Sequence, residues 1–519
     1  MTSFDCIVIG GGHNGMTAST ILAKSGRKVL LIEASAELGG MGKTIKDFHG
    51  LSMINTINHL NSEVINALEL KKFGFEESKK LLKTISLAEN KEKLIFKGPY
   101  GSDVLGINNS ELQAWLKLRK RLFLQSSVLK KFVNSIPVQE NITFQEKINL
   151  AFTALNLRLK GKDEFQEFFR MVLMCIADIV EETLSSDLLK GLLSFDATLG
   201  IKLGPRSPTS LIGLLYRLSG EVNGHQGGQV FPKGGMDNLI QCFYKSLTQA
   251  GVSSKFNEVV SQIITEDGKA IGVKIASGKE YYAKTILSAV SPIMTFKNLV
   301  GFPKLDTGFV RAINCSRHEG NTSKLLLALN KLPEITDLNS ELLDSRFIFA
   351  PSIETVEKGF NPSKYNQISK NPTFEFTIPS FIDPSLSPSD ISLVSVTIQN
   401  TPYNINESWD KYQSSLQNLV IKKIEHFSPG FSKSIIKSKF LSPKDIENSY
   451  LVPGGHWHHS ELQVDRMYSL RPAFGFADYK SPIEGLYICG AGTHPGGGIS
   501  GSSGLNAARK ILNDQKGRI

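Results

Sequence analysis

The chain has 519 residues, 41% hydrophobic and 21% charged, with a net charge of +10. This leaves room for two or three domains with large cores and excludes a disordered or fibrous chain. The basic residues are dispersed, with Lys79-Lys80 and Lys422-Lys423 as pairs rather than arms, so no nucleic-acid module is expected. The cysteines Cys6, Cys175, Cys242, Cys315 and Cys489 contain no CxxC pair and suit a reducing compartment. No apolar run reaches roughly 18 residues, so no transmembrane helix is expected. A strand starting near Phe4 leaves no room for a targeting segment. Cytoplasmic residence is the expectation, with peripheral membrane contact left open.

In chain order, Phe4 to Ile9 reads as a buried strand, Gly10-Gly11-Gly12 as a break, and Asn14 to Lys24 as a helix that Gly26 ends. Lys28 to Ile32 is a second buried strand, completing a βαβ unit with a parallel sheet. From about Ser62 to Leu218 the pattern turns mostly helical, clearest at Glu111 to Phe132 and Glu164 to Glu182. Short strands return between Val259 and Ala289, with turns at Asp267-Gly268 and Ser277-Gly278. Ser392 to Ile398 alternates with one apolar face, and Asn406 to Phe427 is helical. The chain closes with a strand at Gly485 to Cys489, a glycine-rich loop, and a helix from about Ile499 to about Leu512.

The loop Gly10-Gly11-Gly12-His13-Asn14-Gly15 lies between a strand and a helix, the context that gives GxGxxG its meaning. The first glycine permits the tight turn, the second a close approach of backbone to a pyrophosphate, and the third close packing of helix on strand. The helix N-terminus offers free N–H groups and a positive dipole end. Glu33, at the end of the second strand, is placed for ribose hydroxyls and disfavours a 2′-phosphate. Gly39-Gly40 then resembles the second glycine pair that distinguishes FAD oxidoreductases from NAD-binding domains. Lys43 follows it, either a phosphate partner or a solvated lysine.

A second loop runs from Gly490 to Gly501. Nothing bulky projects from Gly496-Gly497-Gly498, so a flat ring can lie on the backbone, with the following helix favouring negative charge on it. With the first forty residues, Phe231 to Leu239, Ile378 to Leu386 running into Gln399 to Tyr403, and Val452 to Gly504, this loop carries a family resemblance. The chain resembles the phytoene-desaturase-related FAD oxidoreductases, and within them the pyridine-nucleotide-disulfide-oxidoreductase-domain-containing protein two group.

The resemblance implies FAD as cofactor, with Val260 at the adenine, Gly490 by the pyrophosphate, and Gly498 and Ile499 by the flavin ring. It implies a discontinuous, doubly wound α/β (Rossmann-like) FAD domain from 1–61, 225–300 and 450–519. A mixed α/β substrate domain at 62–224 and 301–449 is inserted in it. No redox cysteine pair and no second GxGxxG appear, so thiol reductase activity is not expected.

The catalytic residues stay unassigned. Three histidines in four residues, His456, His458 and His459, cannot all point one way, so no metal site is expected there. Glu461 and Arg471 stay unassigned as pocket contacts, and His494 reads as a loop-stabilising residue. Phe165, Phe168, Phe169, Met171 and Leu173 read as core more readily than as an apolar tunnel. Three readings remain open. One is a dehydrogenase, saturase or isomerase acting on a hydrophobic, polyene- or lipid-like small molecule. The others are an amine-oxidase-type enzyme and a flavoprotein with a binding role.

Overall fold

Phe4–Ile9 is apolar at all but one position, a pattern that requires cover on both faces. The computed structural model, which describes residues 4–78, 80–137 and 162–516, sets this strand between Val29–Ile32 and Glu280–Ser288, parallel to both. Ser253–Lys255 extends the sheet beyond Val29–Ile32. Leu486–Ile488 pairs in parallel with the end of Glu280–Ser288. The parallel strands therefore come from three distant parts of the chain. The start of Glu280–Ser288 continues instead into an antiparallel meander with Lys269–Ile275 and Val260–Glu266.

Helix His13–Lys24 covers one face together with Gly235–Gln249 and Ser502–Lys516. Val8, Met16, Phe243 and Leu505 share that core. The opposite face buries Ile7, Leu30 and Ile286 against Phe296 and Phe309. This is the doubly wound arrangement that the βαβ signature predicts.

The second sheet has eight strands, in the order Ile435–Leu441, Thr322–Leu329, Ser392–Gln399, Phe374–Thr377, Arg346–Phe349, Thr84–Leu87, Lys93–Lys97 and Asp103–Leu105. One face is apolar. Val394, Val396, Ile398, Leu325 and Phe347 meet Leu416, Val420 and Ile424 of the helix Trp409–Phe427. The alternate residues Ser395, Thr397 and Gln399 are polar, and they too are buried. A sheet with one polar face ordinarily turns it to water; here it turns inward.

Three expectations need correction. The region from Ser62 to Leu218 is not mostly helical throughout, because the strands at Thr84–Leu87, Lys93–Lys97 and Asp103–Leu105 interrupt it. Lys93–Lys97 alternates, and Thr84–Leu87 pairs with it across a tight turn. The helix expected from Glu164 to Glu182 is two, Lys162–Leu173 and Ile176–Glu181. Cys175 caps the second by accepting from the Asp178 N–H, and the freed carbonyls of Leu173 and Met174 accept from Thr209 and Leu211. The last helix begins at Ser502, not Ile499.

Phe168 and Met171 are core residues, whereas Phe169 and Leu173 are exposed; the Phe165 side chain lies outside the described residues. Among the described residues no helix is long and apolar enough to cross a membrane.

Candidate functional site

The ends of the first two strands, Ile9 and Ile32, open into a cleft of about 270 Å³. Gly10 turns the chain with φ +94°. A Cβ on Gly15 would run into the Gly10 carbonyl oxygen, so only glycine lets the helix sit this close to the strand. A Cβ on Gly12, by contrast, would meet nothing within 4 Å. Gly39 pairs alongside Gly12 and donates to the Gly11 carbonyl at 2.9 Å, which brings Gly40 to the same wall.

Glu33 is held by both carboxylate oxygens. Oε2 accepts from the Gly11 N–H at 2.7 Å and Oε1 from the Ser35 N–H at 2.8 Å. Lys43 Nζ donates to Ser35 Oγ at 2.9 Å and lies 5.5 Å from the Tyr450 ring centre. His13 Nε2 and Asn14 Oδ1, buried in the first helical turn, have no hydrogen-bond partner among the described residues. An exposed backbone turn, a helix N-terminus, a fixed acid and unpaired buried polar atoms together fit a dinucleotide.

Of the residues the sequence assigns to the cofactor, all but two line this cleft: Gly10 to Gly15, Glu33, Gly39, Gly40, Lys43, Val260, Gly498 and Ile499. Gly497 lines the neighbouring cavity. Gly490 lines neither. Its Cα packs on the carbonyls of Ala289 and Val290, where any side chain would collide, so only glycine lets the chain pass this close after the last parallel strand.

A second cavity of about 190 Å³ shares Ile54, Trp457 and Gly498 with the cleft. Its floor is the glycine loop, where Tyr216 donates to the Gly497 carbonyl at 2.8 Å and stacks on His59 with ring centres 4.8 Å apart. A Cβ on Gly497 would penetrate the His458 ring.

The three neighbouring histidines do point apart. His459 lines the cleft, His458 lines the second cavity, and His456 Nε2 lies 3.5 Å from Glu461 Oε1 in the interior. Burial lowers the pKa of His13 and His59 to about 4 and of His459 to about 3, and pushes His458 well down. These four imidazoles are therefore neutral near pH 7.

Arg471 does not enter the site. It is fully buried and donates to the carbonyls of His458, Ser460, Glu461, Arg466, Ala491 and Thr493, which ties the histidine segment to the glycine loop. Its pKa falls to about 10 through burial. His494 Nε2 donates to the Phe132 carbonyl at 2.9 Å, a loop tie as expected.

Sequence reasoning missed the far wall of the second cavity. It is the polar face of the eight-stranded sheet, with Lys324, Arg346, Glu375, Thr377, Ser395 and Thr397, joined by Asp196 and Arg217 from helices. Lys324 stands opposite Thr397, and Thr397 opposite Glu375, in one cross-strand row. The available signal was the polar half of the Ser392–Gln399 alternation. Of the five cysteines only Cys315 is exposed, and none lines the cleft or the cavity.

Residues 15–512 match the family described as flavin containing amine oxidoreductase. The chain is 27% identical to the rat pyridine nucleotide-disulfide oxidoreductase domain-containing protein 2, over 99% of this chain and 94% of that one. It is 24% identical to a lycopene-forming phytoene desaturase of Pseudescherichia vulneris, over 57% of each chain. Cyclohexylamine oxidase from Brevibacterium oxydans shares the fold, with a TM-score of 0.59 at 15% identity, covering 99% of this chain and 100% of that one. The chain therefore belongs to the flavin containing amine oxidoreductase family, an FAD-dependent oxidoreductase related to the phytoene desaturases.

Proposed function

We propose that the protein transfers a hydride between a carbon centre of an apolar-bodied small molecule and FAD, as a dehydrogenase, saturase or isomerase. The observation that carries this reading is the second cavity, which opens directly onto Gly497 and Gly498 and has Ile54, Leu199, Ile201, Leu462 and Trp457 in its walls. FAD bound in the cleft supplies a two-electron hydride acceptor or donor. The residues assigned to hold it are Gly10 to Gly15, Glu33, Gly39, Gly40, Lys43 and Val260, with Gly497, Gly498 and Ile499 at the ring. The assigned cofactor domain is 1–61, 225–300 and 450–519, and 62–224 with 301–449 carries the substrate side.

The rest of the task falls to the chain's own side chains. Tyr216 and His458 fix the glycine loop from the cavity side. The neutral histidines place no cation beside the ring, and the apolar wall excludes water. Hydride transfer needs positioning more than acid–base groups, so a site without a catalytic triad suits it.

The test is anaerobic. The FAD-loaded protein is photoreduced and mixed in turn with oxygen, NAD and a quinone to find the acceptor. The oxidised protein is then mixed with apolar alkenes and with primary amines while flavin absorbance is followed. Bleaching by an apolar substrate is expected. Bleaching by amines alone would move the protein to the amine-oxidase reading, and a flavin unresponsive to every partner would point to a binding role. Disulfide reduction with NADPH is not expected, since no cysteine lines the site.

A further inference from the structure

The polar wall of the second cavity is a buried charge cluster that the proposed hydride transfer does not use. Arg346, 1% exposed, reaches two acids: its Nη2 lies 2.7 Å from Asp196 Oδ1, and its Nε donates to Glu375. Asp196 also accepts from the Tyr100 hydroxyl at 2.9 Å and lies 3.4 Å from Arg217 Nε. Arg217 in turn donates to Gln229 at 2.9 Å. Both carboxylates are thus already engaged by guanidinium groups.

Lys324 is different. It is 4% exposed, its Nζ donates to Thr397 Oγ1 at 3.1 Å, and it forms no ion pair among the described residues. Two of its three N–H donors are left over. Arg346 Nη1, on the same wall, also has no hydrogen-bond partner among the described residues. Three cations (Lys324, Arg346, Arg217) face two acids (Asp196, Glu375), and the histidines nearby are neutral. A buried, under-bonded cation is costly unless an anion completes it.

We infer that this cavity takes an organic monocarboxylate, whose carboxylate docks on Lys324 and Arg346 while its apolar body reaches back to the glycine loop. The single excess positive charge matches a carboxylate better than a doubly charged phosphate. The planar donors of Arg346 suit carboxylate geometry. The apolar lining between this wall and Gly498 gives the body of the molecule its place. The inference rests on the proposed hydride-transfer reading and adds a head group to its substrate class.

The test uses the FAD-loaded full chain and three probes of equal length: hexanoate, 1-hexanol and hexylamine. Calorimetric titration measures binding, and flavin content is measured first. Hexanoate should bind at least roughly ten-fold more tightly than 1-hexanol, the scale of one hydrogen bond to a charged group. Lys324→Met should weaken hexanoate by about the same factor and leave 1-hexanol and FAD content unchanged. Thr397→Val, which leaves the charge but frees the lysine, should weaken hexanoate less. Hexylamine binding more tightly than hexanoate would overturn the inference, as would indifference of hexanoate to Lys324→Met or no binding of hexanoate at all. The comparison of probes on the unaltered protein decides the matter even if a variant fails to fold. Absence of FAD would instead sink the hydride-transfer reading, which keeps the two failures apart.

Discussion

The cleft at the ends of Phe4–Ile9 and Val29–Ile32 has glycine backbone along one wall, whereas the polar wall of the cavity beside it is made of side chains from strands far apart in the chain. In the cleft, glycines remove side chains so that N–H groups and a helix end face inward. In the cavity, Arg346, Glu375 and Asp196 are held by one another, and Lys324 is held by Thr397. A backbone-built site serves a cofactor shared by many enzymes. A side-chain-built site is where one enzyme of the family can come to differ from the next.

Substitutions on the two sides should therefore fail in different ways. The largest effect is expected on the backbone side. Gly15→Val drives a side chain into the Gly10 carbonyl, which cannot yield without parting helix from strand. A cost of about 3 kcal/mol, with loss of bound flavin, is the expected outcome, read from flavin absorbance and thermal melting. A variant that melts normally and stays yellow would show that the turn can open.

On the side-chain side the sign reverses. Burial lowers the Lys324 pKa from its ordinary 10.5 to about 8, against the pull of Glu375. Below pH 8 the folded and unfolded chains both carry the charge, and its burial cost is present in full. Between about 8 and 10.5 the unfolded chain binds the extra proton, so stability rises with pH. Arg346, whose pKa the neighbouring carboxylates raise, and Asp196, whose pKa the guanidinium groups lower, keep their charges across that window. Lys324→Met should accordingly stabilise the protein at pH 7, on the order of 3 kcal/mol, and flatten its pH dependence between 8 and 10. Urea midpoints across that range measure both. A destabilised variant would mean that the ammonium is already well satisfied.

Glu33→Ala should weaken FAD by about 2 kcal/mol, because it removes a charged acceptor and frees the N–H groups of Gly11 and Ser35. Fluorescence titration of the flavin-free protein gives the constant; an unchanged value would remove Glu33 from the ribose. The smallest effect belongs to Lys43→Met, at most about 1 kcal/mol in FAD affinity, since the lysine is partly exposed and already bonded to Ser35.

The cleft was legible in the sequence because its determinants are local. Gly10, Gly12, Gly15 and Glu33 sit on one strand–turn–helix–strand unit, and their spacing alone fixes where they meet. The close approach of Gly490 to the Ala289 and Val290 carbonyls, by contrast, depends on a strand two hundred residues away and could not be read from spacing. The cavity was not legible. Lys324 meets Thr397 across 73 positions and Thr397 meets Glu375 across 22, and no spacing records either pairing. Ser395 and Thr397 did show an alternation, but alternation fixes only that two faces differ. It does not say whether the polar one meets water or an interior wall. The strands at 84–105 escaped for a related reason, since they are short and lie before long helices whose periodicity dominates the region.

The arginine tie at residue 471 has a consequence for how the protein is made. The Gly10 turn is made more than four hundred residues before the segments that cover it. It cannot be completed until Leu486–Ile488 joins the sheet and Ser502–Lys516 lies down on His13–Lys24. Until then Arg471 has no Ala491 or Thr493 carbonyl to meet, and Val8 and Met16 lack the cover of Leu505 and Ile511. Domains ordinarily fold in the order of their synthesis. In this one the first strand and helix must wait, with Val8 and Met16 uncovered, until residues 486–516 have also been made.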